Sequence, residues 1–403
     1  MLSVAEAQEI VLGHVRPLAP VRRAVTPDLI GSVLAEEVSS DLDMPPYDKA
    51  MMDGIAVRSA DLPDGTGVLT IVDEITAGRV PIRALGPGEA ARIMTGAPIP
   101  PGADAVVMVE RLEPLDAGRV RVTDRPPRPG QNIIPRGREL RQGDVILPVG
   151  SVLGPVEFGL LATVGRTTVN VVPAPEVAVL ATGDELVDAD RSPGPGQIRN
   201  GNGPMLQAQV RSAGGLPRGL GIARDDPDEL RPKIAYGLES PVLLLSGGVS
   251  AGKLDLVPQV LRDLGVTAHF HKVAMKPGKP LLFGTHPGGA VFGLPGNPVS
   301  SLVCCELFVR PAIRRLRGEH DPRPRLIFAV LGEDFAYATD RPTYHPARLV
   351  LQDRGWVVWP VPWFGSADLR ALAQANALAV FPAGDHRHRA GQPVEVLPLP
   401  WAH

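Results

Sequence analysis

The chain has 403 residues and a formal net charge of −3, so its composition gives no general reason to expect nucleic acid or anionic membrane as a partner. An apolar fraction of 44% suffices for folded cores, and this length is expected to form two to four domains. Aromatic residues make up only 4%, which argues against a stacking platform for single-stranded nucleic acid, and 44 prolines with 44 glycines favour turns and short strands.

The N-terminal third is predicted to be rich in short strands. It begins with an amphipathic helix, in which Ser3 and Glu6 form a capping box, and not with a secretion signal. After the extended Pro45-Pro46 segment, short β pieces such as Val68–Val72 and Ala105–Glu110 alternate with proline and glycine turns. We expect a small β domain here, which need not be contiguous with its neighbours.

The pattern changes near residue 154 to an alternation of helices and strands. A helix is predicted over Gly154–Val164, and strands over Thr168–Val172 and the apolar run Val177–Leu180. The following elements are predicted to be helix Met205–Ala213, a helix capped by Asp226, strand Val242–Leu245, helix Leu256–Leu264, strand Ala290–Phe292 and helix Pro298–Arg315. This alternation predicts βαβ units and a parallel sheet.

The last long helix contains the only two cysteines, Cys304 and Cys305. Adjacent cysteines cannot form an ordinary disulfide or a four-cysteine zinc site, so we interpret them as buried small apolar residues in a reducing compartment. No apolar run approaches bilayer length, and a cytoplasmic protein is expected. The final residues, from about 320, are predicted to form a separate small β domain with one helical piece at Ala367–Ala377, and His386 with His388 are placed in an exposed turn.

Three strand-to-helix loops, at Thr182–Leu186, Ser246–Gly248 and Gly293–Pro298, are predicted to form one site for a phosphorylated ligand. Each follows a buried strand, and ligands of open α/β sheets bind at the carboxyl ends of the strands. Their glycines let backbone amides approach an anion, and Asn297-Pro298 opens a helix whose N-terminus suits phosphate. One such loop alone would be weak evidence. The chain has no GxxxxGK[ST] and no GxGxxG between strand and helix, which excludes a P-loop NTPase and disfavours dinucleotide binding.

Charged residues surround these loops. Lys272, Lys276 and Lys279 flank a Pro277-Gly278 turn that links two predicted strands of the same sheet, so oxyanion binding is at least as well supported as a solvated hairpin. Carboxylates at Asp184, Glu185, Asp225, Asp226 and Asp255 are candidates for Mg²⁺ beside a phosphate, with helix capping as the stronger interpretation for Asp226.

Six motifs in this order resemble those of the molybdopterin molybdenumtransferase (MoeA) family, which includes the gephyrin E domain. The resemblance covers nearly the whole chain and is looser over the last eighty or so residues. The motifs are Met44-Pro-Pro-Tyr-Asp-Lys-Ala-Met-Met-Asp-Gly54, Arg92-Ile-Met-Thr-Gly-Ala-Pro98, Thr182-Gly-Asp-Glu-Leu186, Ser246-Gly-Gly-Val-Ser250, Lys276-Pro-Gly-Lys279 and Gly293-Leu-Pro-Gly-Asn-Pro298.

The resemblance implies a homodimer of elongated four-domain subunits with an α/β multidomain fold. A central molybdopterin-binding three-layer α/β domain with a mostly parallel sheet would be joined to N-terminal β-rich domains and a small C-terminal β-barrel-like domain. The expected boundaries are 1–45 with 141–172 for a linker and dimerisation domain, 46–140 for a β-rich lid, 173–318 for the molybdopterin-binding domain and 319–403 for the C-terminal domain.

The reaction implied by the resemblance takes adenylylated molybdopterin and molybdate, with Mg²⁺, and releases AMP. Carried over by position, the catalytic residues would be Asp53, Thr95, Glu185, Asp255, Lys276 and Lys279. Metal ligands would be Glu185, Asp226 and Asp255. Substrate-binding residues would be Thr182, Gly183, Ser246, Gly247, Gly248, Ser250, Lys272, Pro295, Gly296, Asn297 and Pro298. In the family the cleft lies between subunits, so Asp53 and Thr95 would face the other groups across the dimer.

Five positions depart from the family pattern, namely Glu139, Lys253, Ile55, Gly201 and Arg370. They leave room for a paralogue, so two alternatives stay open: molybdopterin adenylyltransferase, and a non-catalytic molybdopterin-binding scaffold. The pathway's adenylyltransferase is a further candidate partner, whereas nucleic acid and membranes are not expected.

Overall fold

The computed structural model describes residues 1–116, 118–248 and 256–401. The chain divides into two compact units, each assembled from separate stretches of sequence. The first unit comprises Met1–Glu36, Val149–Gly154 and Thr168–His403, and the second Glu37–Pro148 and Pro155–Thr167. None of the helices in the described part of the chain combines the length and apolarity that crossing a bilayer requires.

The described residues form eight α-helices, of which two are connected through a π-helical segment, and three short 3-10 helices at Pro27–Leu29, Ser59–Asp61 and Val109–Arg111. The helices are α1 Val4–His14, α2 Pro155–Thr163, α3 Asn202–Ser212, α4 Pro227–Gly237, α5 Val257–Asp263, α6 Pro298–Cys304, α7 Arg310–Leu316 and α8 Leu369–Ala373. A π-helical segment, Cys305–Val309, connects α6 to α7.

Twenty-eight strands are present in the described residues, many of them only two to five residues long. The strands are β1 Val21–Ala24, β2 Val33–Leu34, β3 Val38–Ser39, β4 Lys49–Ala50, β5 Gly54–Val57, β6 Thr66–Ile75, β7 Glu89–Ile93, β8 Ala105–Met108, β9 Leu112–Pro114, β10 Arg119–Thr123, β11 Ile133–Ile134, β12 Val145–Leu147, β13 Thr168–Val172, β14 Glu176–Thr182, β15 Leu186–Val187, β16 Ile198–Arg199, β17 Leu216–Ala223, β18 Val242–Ser246, β19 Thr267–Lys272, β20 Pro280–His286, β21 Gly289–Leu294, β22 Ile327–Leu331, β23 Phe335–Thr339, β24 Thr343–Gln352, β25 Gly355–Pro360, β26 Ala377–Phe381, β27 Gly384–His388 and β28 Pro393–Pro398.

The second unit is built on a six-stranded sheet with the order β8-β5-β7-β6-β10-β9. Successive side chains of β5 enter two different cores, since Ile55 and Val57 pack in one and Ala56 in the other. This alternation is the period of two that a strand imposes on its side chains. The predicted small β domain is therefore confirmed as a sheet with both faces covered.

The first unit contains a six-stranded, mostly parallel sheet with the order β17-β14-β18-β21-β20-β19. Strands β14, β17, β18 and β21 are parallel, and β20 and β19 follow as antiparallel neighbours. Val177 and Val179 enter a core with helices α1, α3, α6 and α7, whereas Ala178 and Leu180 enter a core with α4 and α5. Because β14 is buried on both faces, its sequence is a continuous apolar run, and the expected three layers are confirmed.

The C-terminal part of the first unit is a closed five-stranded barrel with the order β22-β25-β24-β26-β28. A separate two-stranded antiparallel sheet, β23 with β27, lies in the same region of the chain. The barrel-like domain expected from the sequence is thus present, and its closure leaves no unpaired edge among those five strands.

Three expectations about local structure need correction. Only Leu369–Ala373 of the predicted helix Ala367–Ala377 is helical, because Ala377 begins a strand whose pairing with β24 and β28 overrides the helix propensity of alanine. His386 and His388 lie in β27, opposite Tyr337 and Phe335, and not in a turn. The predicted helix Pro298–Arg315 exists but is interrupted by the π-helical segment.

Other local expectations are confirmed. The capping box of Ser3 and Glu6 is present, and Cys304 and Cys305 are buried free thiols. The π-helical segment is held by the first helix, since Gln8 Nε2 donates a hydrogen bond of 2.8 Å to the carbonyl oxygen of Leu307. A carbonyl released from the regular helical pattern is in this way satisfied.

Candidate functional site

The carboxyl ends of three parallel strands meet at one edge of the central sheet. Ala181 of β14 pairs with Ser246 of β18, and Ser246 pairs in turn with Leu294 of β21. The loops that follow these strands line one cavity of about 650 Å³. The predicted meeting of the three loops is therefore observed. From the predicted set the cavity is lined by Thr182, Gly183, Glu185, Ser246, Gly247, Gly248, Pro295, Gly296, Asn297 and Pro298.

The glycines of this first cavity are required by close contacts. A Cβ at Gly247 would lie 2.3 Å from the carbonyl oxygen of Thr182, and the φ of Gly247 is +97°. A Cβ at Gly183 would lie 2.5 Å from Glu185 Oε2. A side chain at Gly247 would push two loops apart, whereas one at Gly183 would displace the Glu185 carboxylate of the same loop. The buried Thr182 Oγ1 has no hydrogen-bond partner among the described residues, so a polar group of a ligand can satisfy it.

An asparagine that was not predicted as a site residue ties two of the loops together. Asn202 Nδ2 donates to Ser246 Oγ at 2.9 Å and to the carbonyl oxygen of Gly296 at 2.7 Å. Strand β16 brings this segment to the cavity by pairing with β15, which follows the first loop. Asn200 and Asn202 both line the cavity. The Asn200-Gly201-Asn202 segment was recognisable in the sequence, but its contacts depend on the pairing of β15 with β16.

A second cavity of about 560 Å³ adjoins the first. Pro280, Pro295 and Asn297 line both. Lys276 and Lys279, which were predicted to bind an oxyanion, line the second cavity together with Arg341. Further polar lining comes from Ser300, Tyr337 and Ser366, and none of the described lining residues carries a carboxylate. The arrangement favours a small anion.

Arg341, Tyr337 and Ser366 were not identified from the sequence. They lie between 61 and 90 residues after Lys276 in the chain, in the C-terminal part of the first unit. Asn297 Nδ2 donates to Ser366 Oγ at 2.8 Å, so the third loop is joined to this part of the chain. The only sequence signal was the presence of an arginine and a serine in turn-rich segments, which is too common to be specific.

The backbone amides at the start of helix α6 are only partly available to a ligand. Pro298 has no N–H, and Val299 N donates at 3.0 Å to the carbonyl oxygen of Ser366. The free amides that were expected to bind phosphate at this helix start are therefore fewer than in an open N-terminus.

The predicted carboxylates are distributed unequally. Glu185 lines the first cavity and so does Asp225, whose backbone N donates to Asp184 Oδ1 at 3.2 Å. Asp226 accepts from Asp228 N at 2.8 Å and caps α4, as the capping interpretation predicts. Asp255 and Ser250 lie outside the described residues, as does Lys253. Within the described residues, no group of three or more histidine, cysteine, aspartate or glutamate side chains is arranged to hold a metal ion.

Lys272 differs from the other two lysines of its segment. It lies at the end of β19 and is not among the residues that line either cavity, although it is exposed in the same way as Lys279. Lys276, by contrast, is half-buried, and its backbone is held on both sides: Lys276 N donates to Pro342 O, and Tyr344 N donates to Lys276 O. The structure thus brings together two of the three lysines.

Asp53 and Thr95 form a pair within the second unit. Asp53 Oδ1 accepts hydrogen bonds from Thr95 N at 2.6 Å and from Thr95 Oγ1 at 2.8 Å. These two bonds, the backbone one first, stabilise the carboxylate and lower the pKa of Asp53 below its usual value. Asp53 is therefore held ionised and oriented.

Four of the five residues that depart from the family pattern lie in the described part of the structure. Glu139 Oε1 forms an ion pair with Lys49 Nζ at 3.0 Å, and Ile55 is a buried core residue of β5. Gly201 lines the first cavity, and Arg370 lies in α8.

Three family models match the chain in order. They are the MoeA N-terminal region (domain I and II) over residues 2–165, a probable molybdopterin binding domain over residues 178–315, and the MoeA C-terminal region (domain IV) over residues 329–399. Together they cover most of the chain, and the middle model covers the strands and loops that line the first cavity.

Full-length relatives and solved structures agree with these matches. A molybdopterin molybdenumtransferase of Staphylococcus aureus (strain COL) is 35% identical over 98% of this chain and 95% of its own length. One of Staphylococcus epidermidis (strain ATCC 12228 / FDA PCI 1200) is 34% identical over 91% of this chain and 88% of its own. A crystal structure of a molybdopterin biosynthesis MoeA protein from Pyrococcus horikosii has a TM-score of 0.83 and 30% identity, and covers 99% of each chain.

Proposed function

The chain belongs to the MoeA family of molybdopterin molybdenumtransferases, and from this premise we propose that its two adjoining cavities bind the two substrates of molybdenum insertion. The enzyme acts in molybdenum cofactor biosynthesis. The main interpretation of the sequence is thus confirmed, and the alternatives of an adenylyltransferase and a scaffold are not supported by the relatives. The roles of individual residues in binding and catalysis are proposed here from the geometry of the two cavities.

The first cavity is proposed to bind adenylylated molybdopterin. Its glycines leave the cavity free of side-chain obstruction, which suits a diphosphate, although the amides of Gly183 and Gly247 already donate at 3.1 Å to the carbonyl oxygens of Ala223 and Leu294. The unpartnered Thr182 Oγ1 is available to the same ligand, and Asn202 fixes the loops at Ser246 and Gly296. With a volume of about 650 Å³, the cavity is of the size that cofactor-like ligands occupy.

The second cavity is proposed to bind molybdate, and its charge is the observation that carries the proposal. Lys276, Lys279 and Arg341 supply three cations, and none of the described lining residues supplies a carboxylate. Asp340 forms an ion pair with Arg341 at 3.1 Å and also interacts with Lys279, so its carboxylate offsets one of these three charges and an excess of positive charge remains. A tetrahedral dianion is the ligand that such a cavity would attract, and the shared wall would keep it beside the phosphorylated substrate.

Magnesium is proposed to bind at the carboxylate side of the first cavity. Glu185 lines that cavity, and Asp255 follows the second loop in sequence, so we propose both as ligands of the ion. Asp226 is the weakest candidate, because its side chain already caps α4. Carboxylate oxygens beside a phosphate fit Mg²⁺. When bound, the ion would neutralise charge on the diphosphate.

The reaction breaks the phosphoanhydride bond, releases AMP and leaves molybdenum on the dithiolene of molybdopterin. We propose that Lys276 and Lys279 neutralise the oxyanion and hold it for transfer. Asp53, kept ionised and oriented by Thr95, would align water or molybdate for attack at the phosphoanhydride. As the family resemblance implies, these two residues would come from the other subunit of a homodimer.

The remaining expectations are proposed on the same family basis. They are the four-domain division given above, a cytoplasmic location, and the pathway's adenylyltransferase as a partner that delivers the adenylylated substrate. The absence of a span-length apolar helix among the described residues is compatible with this location.

The proposal is tested by incubating the protein with adenylylated molybdopterin, Mg²⁺ and molybdate. We expect AMP release that depends on molybdate, and a folded protein that releases none would contradict the proposal. Consumption of ATP with molybdopterin in the absence of molybdate would support the adenylyltransferase alternative instead. If an Asp255→Ala variant still restored all cofactor-dependent activity in cells, the scaffold alternative would be preferred.

A further inference from the structure

One face of helix α6 lies against the segment that carries the two cavity lysines. Asn297, which precedes the helix, and Ser300 in its first turn both line the second cavity. Cys304 follows Ser300 by four residues and is therefore on the same face, one turn further into the core. Its Sγ lies 3.6 Å from the carbonyl oxygen of Gly278, the residue directly before Lys279.

The contact between Cys304 and Gly278 is tightly packed. A Cβ at Gly278 would lie 2.6 Å from Cys304 Sγ and 3.0 Å from Met275 Cε, so the loop backbone already touches both side chains. Cys304 and Met275 are completely buried. Gly278 has a φ of +110°, which few other residues adopt. In a close-packed interior, a change of one methyl group at residue 304 must be met by movement of the loop or by a cavity.

Backbone hydrogen bonds hold the two ends of the loop Lys276–Lys279, so the contact with Cys304 acts on the middle of the loop. Val273 N donates to Lys279 O at 3.1 Å, which closes the loop at its base. Lys276 is held by its backbone bonds with Pro342 and Tyr344. The middle of the loop has Pro277, which lacks an N–H, and Gly278, whose carbonyl oxygen accepts from the Cys304 thiol.

We propose that Cys304 is a positioning residue, which sets the distance between helix α6 and the loop Lys276–Lys279 and so the width of the oxyanion cavity. This inference rests on the proposed role of the second cavity as the molybdate site. The thiol acts as a packed spacer and weak hydrogen-bond donor and does not contact the substrate itself. Because burial raises the pKa of the Cys304 thiol, it stays protonated and can donate.

The adjacent cysteine provides a matched control. Cys305 is also buried and belongs to the same core, but it follows Cys304 by about 100° around the helix axis. Truncation or enlargement at either position should alter stability in a similar way. Only a change at Cys304 should alter the lysine loop.

The test compares Cys304→Val, Cys304→Ala, Cys304→Ser and Cys305→Val in the full-length protein. For each variant, steady-state AMP release is measured against molybdate concentration with saturating adenylylated molybdopterin, and the equilibrium binding of molybdate alone and the thermal unfolding midpoint are measured in parallel. Cys304→Val should raise the KM and Kd for molybdate by about tenfold and Cys304→Ala by about threefold, with kcat within about twofold, because a displaced loop misplaces the lysines. Cys304→Ser, which keeps a donor of similar size, should stay near the parent value.

The control and a lysine variant separate the possible failures. Cys305→Val should lower the unfolding midpoint and leave the molybdate KM unchanged; an equal rise in KM would overturn the assignment to Cys304. If Lys279→Ala raises the KM but neither Cys304→Val nor Cys304→Ala does, the positioning role is wrong while the oxyanion cavity stands. If Lys279→Ala has no effect either, the molybdate assignment of the second cavity fails, and this inference fails with it. Cys304→Ala alone decides the question if Cys304→Val does not fold.

Discussion

The ammonium nitrogen of Lys276 lies 5.2 Å from the centre of the Tyr337 ring. Lys276 belongs to the loop between β19 and β20, whereas Tyr337 belongs to β23 in the C-terminal part of the same compact unit. Phe335 stacks beside the tyrosine with ring centroids 5.8 Å apart, and His345 meets it edge-on. The position of a cavity lysine is in this way supported by an aromatic cluster that is remote in sequence.

This contact predicts that Tyr337→Leu weakens molybdate binding. A cation–π contact at a partly exposed site contributes about 0.5–1 kcal/mol, so the KM for molybdate should rise about two- to fivefold. Tyr337→Phe keeps the ring and should remain near the parent value. Steady-state AMP release measures both variants, and equal effects of Phe and Leu would assign the role to the hydroxyl group and not to the ring.

The two cavity lysines are expected to matter where Lys272 does not. Lys279→Ala should raise the KM for molybdate by at least about tenfold, because a charge-assisted contact to the anion is lost. Lys272→Ala removes the same charge from the same segment outside both cavities and should change it less than about twofold. Steady-state AMP release against molybdate concentration provides the comparison. Equal losses would mean that long-range attraction, and not contact, governs binding.

Gly247→Ala is predicted to damage the first cavity through contact with Thr182. Its Cβ would meet the carbonyl oxygen of Thr182 at 2.3 Å, in addition to the strain of a positive φ, and the free energy of unfolding should fall by about 3 kcal/mol or more. Gly221→Ala carries similar backbone strain at φ +74° but meets no atom within 4 Å, and about 1–2 kcal/mol is expected. Urea unfolding measures both. If Gly247→Ala lowers the free energy of unfolding no more than Gly221→Ala does, the two loops move apart at little energetic cost and the prediction is wrong.

The pair of Asp53 and Thr95 predicts a shift in pH dependence. Thr95→Val removes one of the two hydrogen bonds that lower the pKa of Asp53, so that pKa should move up toward its usual value. The acid limb of the AMP-release profile should then move to higher pH, while Thr95→Ser should leave it in place. NMR titration of the Asp53 carboxyl carbon gives the pKa directly, and an unchanged value in Thr95→Val would contradict the interpretation.

The same bonds make a pH-dependent contribution to stability. Because the folded-state pKa of Asp53 lies below the unfolded value, these bonds stabilise the fold above the unfolded pKa. Their contribution is lost as the pH falls through the lower folded-state pKa. Thr95→Val should therefore destabilise the protein at neutral pH, and the difference from the parent should shrink in acid.

Magnesium dependence should distinguish Glu185 from Asp226. Removal of divalent cations with EDTA should abolish AMP release, and Glu185→Gln should raise the Mg²⁺ concentration needed for half-maximal activity by about tenfold or more, because a ligand charge is lost. Asp226→Ser preserves the cap of α4 and should leave this concentration unchanged. An effect of Asp226→Ser as large as that of Glu185→Gln would place Asp226 among the ligands.

Much of the fold could be predicted from local patterns in the sequence. The capping box at Ser3, the N-cap at Asp226 and the apolar run of β14 are each formed by residues that are close in the sequence. The structure contains all three elements. The helix over Ala367–Ala377 was overestimated, because strand pairing at Ala377 depends on β24 and β28. Propensity cannot anticipate partners that lie elsewhere in the chain.

The sequence by itself determined that the three glycine loops share one edge, because consecutive buried strands joined by helices form a parallel sheet whose carboxyl ends lie together. It also singled out Lys272, Lys276 and Lys279 as a group of cations for an oxyanion. Only the tertiary structure decided that Lys272 stays outside, that Arg341, Tyr337 and Ser366 complete the second cavity, and that Cys304 packs beneath Gly278. These contacts join segments 26 to 90 residues apart, and their distances follow from close packing between elements, which no local pattern encodes.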